Sequence, residues 1–394
     1  MTRTLSLSLA LVALLVPLSI AGTNLALGVL SVAVAGNLLF GGWARGFRAW
    51  RDETAVRAVG VYIAAGLVST ACGFGLAHSL HDSAKDFHRL WSLSLFVAAL
   101  ALEPEAAPWP AFAVGFSLAA AFGIRQSALS LIHGERYVRA AAFVHPVTFG
   151  EIMGIGALGG LCWLARPSAR GAWPRAAAGA ATLLCVTAMT LSQTRAAMLA
   201  FGFGAVVVAV LEPRARRWAA AGLCLGGLGA ASAQWMRALH GEFSLAAGVT
   251  GAGAAAPAPQ SRLILWRVAW RMFRDHPLTG VGLGHYSTLF DRYSPPYEGE
   301  AHWGTAHNIY LHQLAERGLV GFAALMLLFG VLLTRAWRAG KTRQDAMALW
   351  AAAAVPAFLI MNLTETALQT EQFATLFLLI WALGAARRKP VEVL

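Results

Sequence analysis

The sequence predicts an all-α polytopic membrane protein with about twelve transmembrane helices. Three observations carry the prediction. Hydrophobic residues form 58% of the 394-residue chain and charged residues 13%, about half the charged share of a soluble domain, and the mean hydropathy is +0.59. Apolar runs of the roughly 20 residues that a crossing needs recur from end to end. Basic residues gather in alternate connections between those runs.

Taken in order, the apolar runs lie near 5–22, 24–42, 57–78, 88–102, 107–124, 146–165, 175–193, 195–211, 218–236, 308–333, 346–362 and 372–386. The fourth is short. The first has the Arg3, apolar-core, small-residue profile of a signal peptide, but another apolar run follows at once, so it is read as an uncleaved first helix. The chain is read as one membrane domain, 1–394, whose one large outer loop, 237–306, separates the ninth and tenth helices.

The formal charge is +12. Arg3, Arg45, Arg48, Arg51, Arg57, Arg166, Arg170, Arg175, Arg214, Arg216, Arg217, Arg335, Arg338, Lys341, Arg343, Arg387, Arg388 and Lys389 fall on one side of the twelve-helix plan, 18 of the 31 Lys and Arg. The positive-inside rule then sets both termini in the cytoplasm. The basic balance is therefore topology, and no soluble basic domain is present to bind nucleic acid. Cys72, Cys162, Cys185 and Cys224 lie inside apolar runs with no metal or disulfide spacing, as small core residues do.

Four outer segments are more than turns: 79–88 with its histidines, read as solvated or headgroup-facing; 125–145 with Arg125, Arg136, Arg139 and His145-Pro146; 237–306; and 363–371 with Glu365 and Glu371. In the large loop, 246–259 is Ala/Gly/Pro-rich and reads as flexible. Ser261 then reads as the N-cap of a helix to about Asp275. On that helix Arg267, Arg271 and Arg274 form a basic stripe suited to headgroups. Arg262 stands apart from the stripe beside Trp266, among apolar neighbours, and requires an anionic partner. His276-Pro277 ends the helix, and Gly280, Gly282 and Gly284 permit tight turns or a close approach.

Polar groups at the mouth of a membrane helix are costly unless they line a site. Ser192-Gln193-Thr194-Arg195 breaks two apolar runs at the outer face. Arg195 either snorkels or binds an anion, and a cation at the positive end of a helix favours the anion. His307 opens the tenth helix with an imidazole suited to proton transfer. His302, His312 and His285 compete with it, and Asn308 either fixes backbone or orients substrate. Glu365 has three open roles: orienting His307, holding an arginine, or lying in solvent. Two arginines, a histidine and a carboxylate at the outer ends of different helices suit a diphosphate-bearing substrate and a reacting hydroxyl. No Asp-x-Asp pair occurs in the outer loops, so the expected chemistry needs no metal and no cofactor.

On these residues the chain resembles the O-antigen ligase and polymerase superfamily of bacterial inner-membrane glycosyltransferases. The resemblance rests on Thr194-Arg195-Ala196, Ser261-Arg262 with Trp266, His276-Pro277-Leu278-Thr279-Gly280-Val281-Gly282-Leu283-Gly284, and His307-Asn308-Ile309-Tyr310-Leu311 followed by Glu316-Arg317-Gly318-Leu319. It implies a GT-C-like membrane fold whose periplasmic loop contains short helices. It implies transfer of O-antigen from undecaprenyl pyrophosphate to a sugar of the lipid A core on the periplasmic face, with membrane lipids as surroundings. The family's paired arginines map to Arg195 and Arg262, its histidine to His307, and an acidic position to Glu365. Arg125, Arg139, Gln193, Trp266, His302 and Asn308 are further candidates around that site. An O-antigen polymerase and a protein O-oligosaccharyltransferase share the plan and differ in acceptor. A lipid-linked polysaccharide flippase would show internal repeats and mid-bilayer charges; the sequence has no evident repeats, and its ionisable residues are expected at the outer ends.

Overall fold

The computed structural model describes residues 2–106, 108–133, 138–166, 171–239, 262–294 and 304–386, which contain helices and loops and no strand. Apolar runs become helices because a backbone away from water must satisfy its own N–H and C=O groups. The order is α1 Thr2–Leu15, α2 Ile20–Asn37, a π-turn Leu38–Gly42, α3 Trp43–Asp52, α4 Thr54–Cys72, α5 Leu76–Leu102, α6 Trp109–Ile132, α7 Pro146–Ala165, α8 Ala172–Leu191 and α9 Arg195–Leu211. A 3₁₀ turn Pro213–Ala215 leads to α10 Arg216–Leu239, then α11 Arg262–Asp275, two single turns α12 His285–Thr288 and α13 Phe290–Tyr293, α14 Ile309–Thr342, α15 Ala346–Met361, a 3₁₀ turn Ala367–Gln369 and α16 Glu371–Ala385.

Among the described residues, six helical segments are long and apolar enough to cross a membrane: Ile20–Asp52, Thr54–Cys72, Trp109–Ser130, Pro146–Ala165, Ala172–Leu191 and Ile309–Thr342. Arg3–Leu15, Arg195–Leu211, Ala346–Met361 and Glu371–Ala385 are shorter apolar helices. The chain is thus a multi-pass membrane protein by helix length and composition. Each of the twelve expected runs overlaps a helix. The Ser261 cap and the 246–259 segment lie outside the described residues.

Two boundaries are corrected. The expected short fourth helix is 27 residues long, and residues 79–88 are its first turns, not a loop. Ser79, Ser83, Asp86 and Arg89 recur every three or four positions and turn inward, while His81 and Lys85 stay exposed. Here the buried face of the helix is polar, so a count of charges reads as solvent what the spacing makes core. Likewise α6 runs to Ile132, so Arg125 lies in a helix and not in the connection after it.

The polar face of α5 also changes where the ionisable residues lie. Asp86 pairs with Arg89 on its own helix and with Arg317 of α14 at 2.5 Å. All three are buried. Arg317 further covers the Tyr62 ring at 4.3 Å, and Arg89 Nε donates to the Leu368 carbonyl at 2.9 Å. The expectation that ionisable groups gather only at helix ends fails for this cluster.

The basic ends of the helices meet at one end of the bundle. Arg166, after α7, pairs with Glu212 at 3.0 Å and donates to the carbonyls of Gly340 and Arg343. Arg343 donates to Gly384, and Arg335 pairs with Glu53 and donates to Ala385. Nearby, α3 exposes Trp43, Phe47 and Trp50 as a stacked row beside Arg45, Arg48 and Arg51, the make-up of a helix lying in a membrane interface.

Candidate active site

The other end of the bundle contains the motif loops. Gly280, Gly282 and Gly284 take positive φ of 69°, 104° and 73°, which lets residues 276–284 fold flat against a break in α14. That break is at Gly318, with φ 59° and ψ −161°. A Cβ there would run into the Leu278 carbonyl, so only glycine fits. The break frees backbone groups, and the glycine loop satisfies them. Val281 and Gly282 N–H donate to the Ala315 and Glu316 carbonyls, while Leu319 and Val320 N–H donate to those of Pro277 and Leu278. The two glycine-bearing motifs are therefore one interlocked unit.

Beside this unit, α14 opens at Asn308. Its Oδ1 caps Leu311 N–H at 3.0 Å and its Nδ2 donates to the Leu363 carbonyl at 2.9 Å. Ile309 N–H donates to the carbonyls of both Asn362 and Glu365. Asn308 thus fixes backbone. The segments 304–309 and 362–366 are stitched side by side.

The stitching brings Glu365 beneath two groups. Its Oε1 accepts from Arg262 Nη2 at 2.6 Å, and its Oε2 meets His307 Nδ1 at 3.0 Å. Glu365 is 6% exposed at the side chain, His307 29% and Arg262 43%. The carboxylate is the floor, and the cation and imidazole face outward. Arg262 has the anionic partner that its setting on α11 demands. A carboxylate accepting at Nδ1 requires a proton on that nitrogen, so the neutral ring has its lone pair on Nε2. His307 is held at φ 46°, an uncommon backbone for a side-chain-bearing residue and of the kind that clusters at functional sites.

The competing histidines have other work. His312 is buried, its Nε2 3.3 Å from Glu316, and its Nδ1 accepts from Ala306 N–H, which fixes the residue before His307. Glu316 in turn accepts from Tyr286 N–H at 3.1 Å. Burial and the nearby Glu316 raise the Tyr286 phenol above its ordinary value. That phenol donates to Leu265 of α11. His285 is buried against Ser79 and the Leu283 carbonyl. His302 lies outside the described residues.

Arg195 opens α9 at the same end. Thr194, its cap, accepts from Arg139 Nη2 at 3.4 Å and donates to the Pro146 carbonyl at 3.2 Å. Arg139 Nε donates to Ser192 at 2.7 Å. Gln193 between them has φ 54°. His145, next to Pro146, caps α7 and feels the charges of Arg139, Glu365 and His307. Burial first, then Arg139 and His307, hold its imidazole below the usual 6.5, against the pull of Glu365. Arg195 is exposed and makes no hydrogen bond or ion pair among the described residues. Arg125 is also exposed, and Trp266 has a buried Nε1 without a partner among the described residues.

Two residues here have little signal in the sequence. Only the Pro146 neighbourhood hinted at His145. Glu151, one turn into α7, is 2% exposed and within reach of the Glu365 charge, and its side chain makes no hydrogen bond among the described residues. A lone acid in an apolar run was its only signal. A cavity of about 690 Å³ bordered by Trp109, Trp163 and Trp350 lies toward the basic end and contains none of these groups.

No curated protein matches the chain. A family model described as O-antigen ligase matches residues 180–326, a stretch that holds Arg195, Arg262, His307 and both glycine motifs but stops short of Glu365. Over that stretch the chain is similar to the O-antigen ligase superfamily, and the match supports membership of this family of glycosyltransferase-like enzymes in O-antigen processing.

Proposed function

We propose that the protein is an O-antigen ligase of the bacterial inner membrane, transferring O-antigen from undecaprenyl pyrophosphate to a sugar hydroxyl of lipid A-core at the periplasmic face. The observation that carries the reading is Glu365 holding Arg262 and His307 at once. In this reading the helices that overlap the twelve apolar runs cross the bilayer, the arginine-rich end and both termini face the cytoplasm, and the site faces the periplasm.

The donor diphosphate lies against Arg195 and Arg262. A guanidinium has five N–H donors, so Arg262 binds phosphate while keeping Glu365. His307 Nε2 takes the proton of the acceptor hydroxyl as its oxygen bonds to the anomeric carbon. The bond from that carbon to the diphosphate breaks, and its electron pair leaves with undecaprenyl pyrophosphate. One displacement inverts the anomeric centre. Glu365 offsets the charge that His307 gains, as the carboxylate behind a catalytic histidine does. General-base help of this kind contributes roughly 10²–10⁴-fold. The two guanidiniums neutralise the leaving group without a metal, and EDTA should leave transfer intact; a strong loss overturns that step.

A deletion strain tests the choice of acceptor. A ligase leaves long lipid-linked polymer and bare core. Core capped by single repeats would instead identify a polymerase, and unchanged core with unglycosylated protein an O-oligosaccharyltransferase.

A further inference from the structure

At the end of the bundle away from Glu365, three arginines meet in one groove. Arg175 lies in the first turn of α8, Arg214 in the 3₁₀ turn after α9, and Arg217 in the first turn of α10. With Trp218 and Gly179 they border a cavity of about 460 Å³ that has no acidic side chain in its wall. All three arginines are exposed.

Three less exposed arginines at this end are paired. Arg166 has Glu212 and two carbonyls, Arg335 has Glu53, and Arg343 has Asp345. Among the described residues the groove arginines have no hydrogen bond or ion pair, only the Arg217 guanidinium 5.3 Å from the Trp218 ring. Neither helix opening onto the groove has an acidic residue in its first turn. Each such opening is already a positive dipole end, so converging cations raise its energy unless an anion enters. There is room for one: a Cβ at Gly179 would touch nothing within 4 Å.

We propose that this groove binds the headgroup of an anionic phospholipid from the bordering leaflet, with phosphate on Arg175, Arg214 and Arg217. A lipid fits better than a free phosphate. Leu164 and Ala165 give the wall an apolar part, and the exposed Trp218 borders the groove as an interfacial aromatic does. Basic pockets between helix ends on the positive side of a membrane protein have this chemistry. Three guanidiniums best match a headgroup with two phosphates.

The test is lipid retention by the full chain purified from mixed vesicles of phosphatidylcholine and cardiolipin, read by native mass spectrometry. The expected result is one cardiolipin held by the wild type and retention weakened roughly a hundredfold in Arg175→Gln/Arg214→Gln/Arg217→Gln, from the gain per basic residue near a charged surface. Gly179→Leu keeps every charge and fills the groove, and should lose the same lipid, which covers the case where the triple variant fails to fold. Glycosyl transfer should persist in both variants. Equal cardiolipin retention by wild type and Gly179→Leu overturns the proposal, and so does displacement of the lipid by millimolar inorganic phosphate.

Discussion

Glu365 meets His307 Nδ1 at 3.0 Å with one oxygen and Arg262 at 2.6 Å with the other. A single carboxylate therefore sets both the tautomer of the imidazole and the place of the guanidinium. Glu365→Gln keeps the shape and removes the charge. It should lower kcat for transfer about 10²–10³-fold, the scale of losing one preorganised electrostatic contact, while the thermal midpoint of the purified protein changes little. Wild-type kcat in this variant would remove Glu365 from the mechanism.

The His307 backbone, at φ 46°, gives a second expectation. Left-handed backbone costs a residue with a Cβ about 1–2 kcal/mol that glycine avoids. His307→Gly should fold at least as well as the wild type and form no product. His307→Val should be less stable than His307→Gly. A melting series in one detergent checks the order.

His145 gives a pH dependence. Its imidazole is held below 6.5 in the folded chain, chiefly by burial. As pH falls, the unfolded chain takes up this proton first. Stability present above about 6.5 is therefore lost as pH drops through the lower folded value. Protonation also removes the Nδ1 acceptor that caps Val147 N–H at 3.3 Å. His145→Asn keeps a capping oxygen and does not titrate. The melting temperature should fall below pH 6.5 more steeply in the wild type than in this variant; parallel curves would contradict it.

Arg317, Asp86 and Arg89 are a buried charge cluster tied to Leu368, three residues from Glu365. Asp86→Asn would leave two cations without their counter-ion, and losing one partner of a buried pair costs about 3–5 kcal/mol. The expected outcome is a low yield of folded protein. Asp86→Asn/Arg317→Met removes a cation together with the anion and should recover part of that yield.

The sequence made legible the features whose signal is local. Apolar runs located the helices, the glycines of 276–284 announced their positive φ, and Arg262 beside Trp266 asked for an anion that Glu365 supplies. Glu365 itself remained open among three roles because its partners are 103 and 58 positions away. The inward polar face of α5 was misread because Asp86 and Arg89 look solvated until Arg317, 231 positions from Asp86, arrives to pair with it. The lock between Gly318 and Leu278 was invisible for the same reason: each motif was seen, but their contact is tertiary.

The most direct test follows purified Arg262→Ala and His307→Ala beside the wild type, with undecaprenyl pyrophosphate-linked O-antigen as donor and lipid A-core as acceptor. Donor retention and product are measured together. Arg262→Ala should weaken both retention and transfer, whereas His307→Ala should hold the donor and make no product. Product at the wild-type rate from both variants would contradict the account.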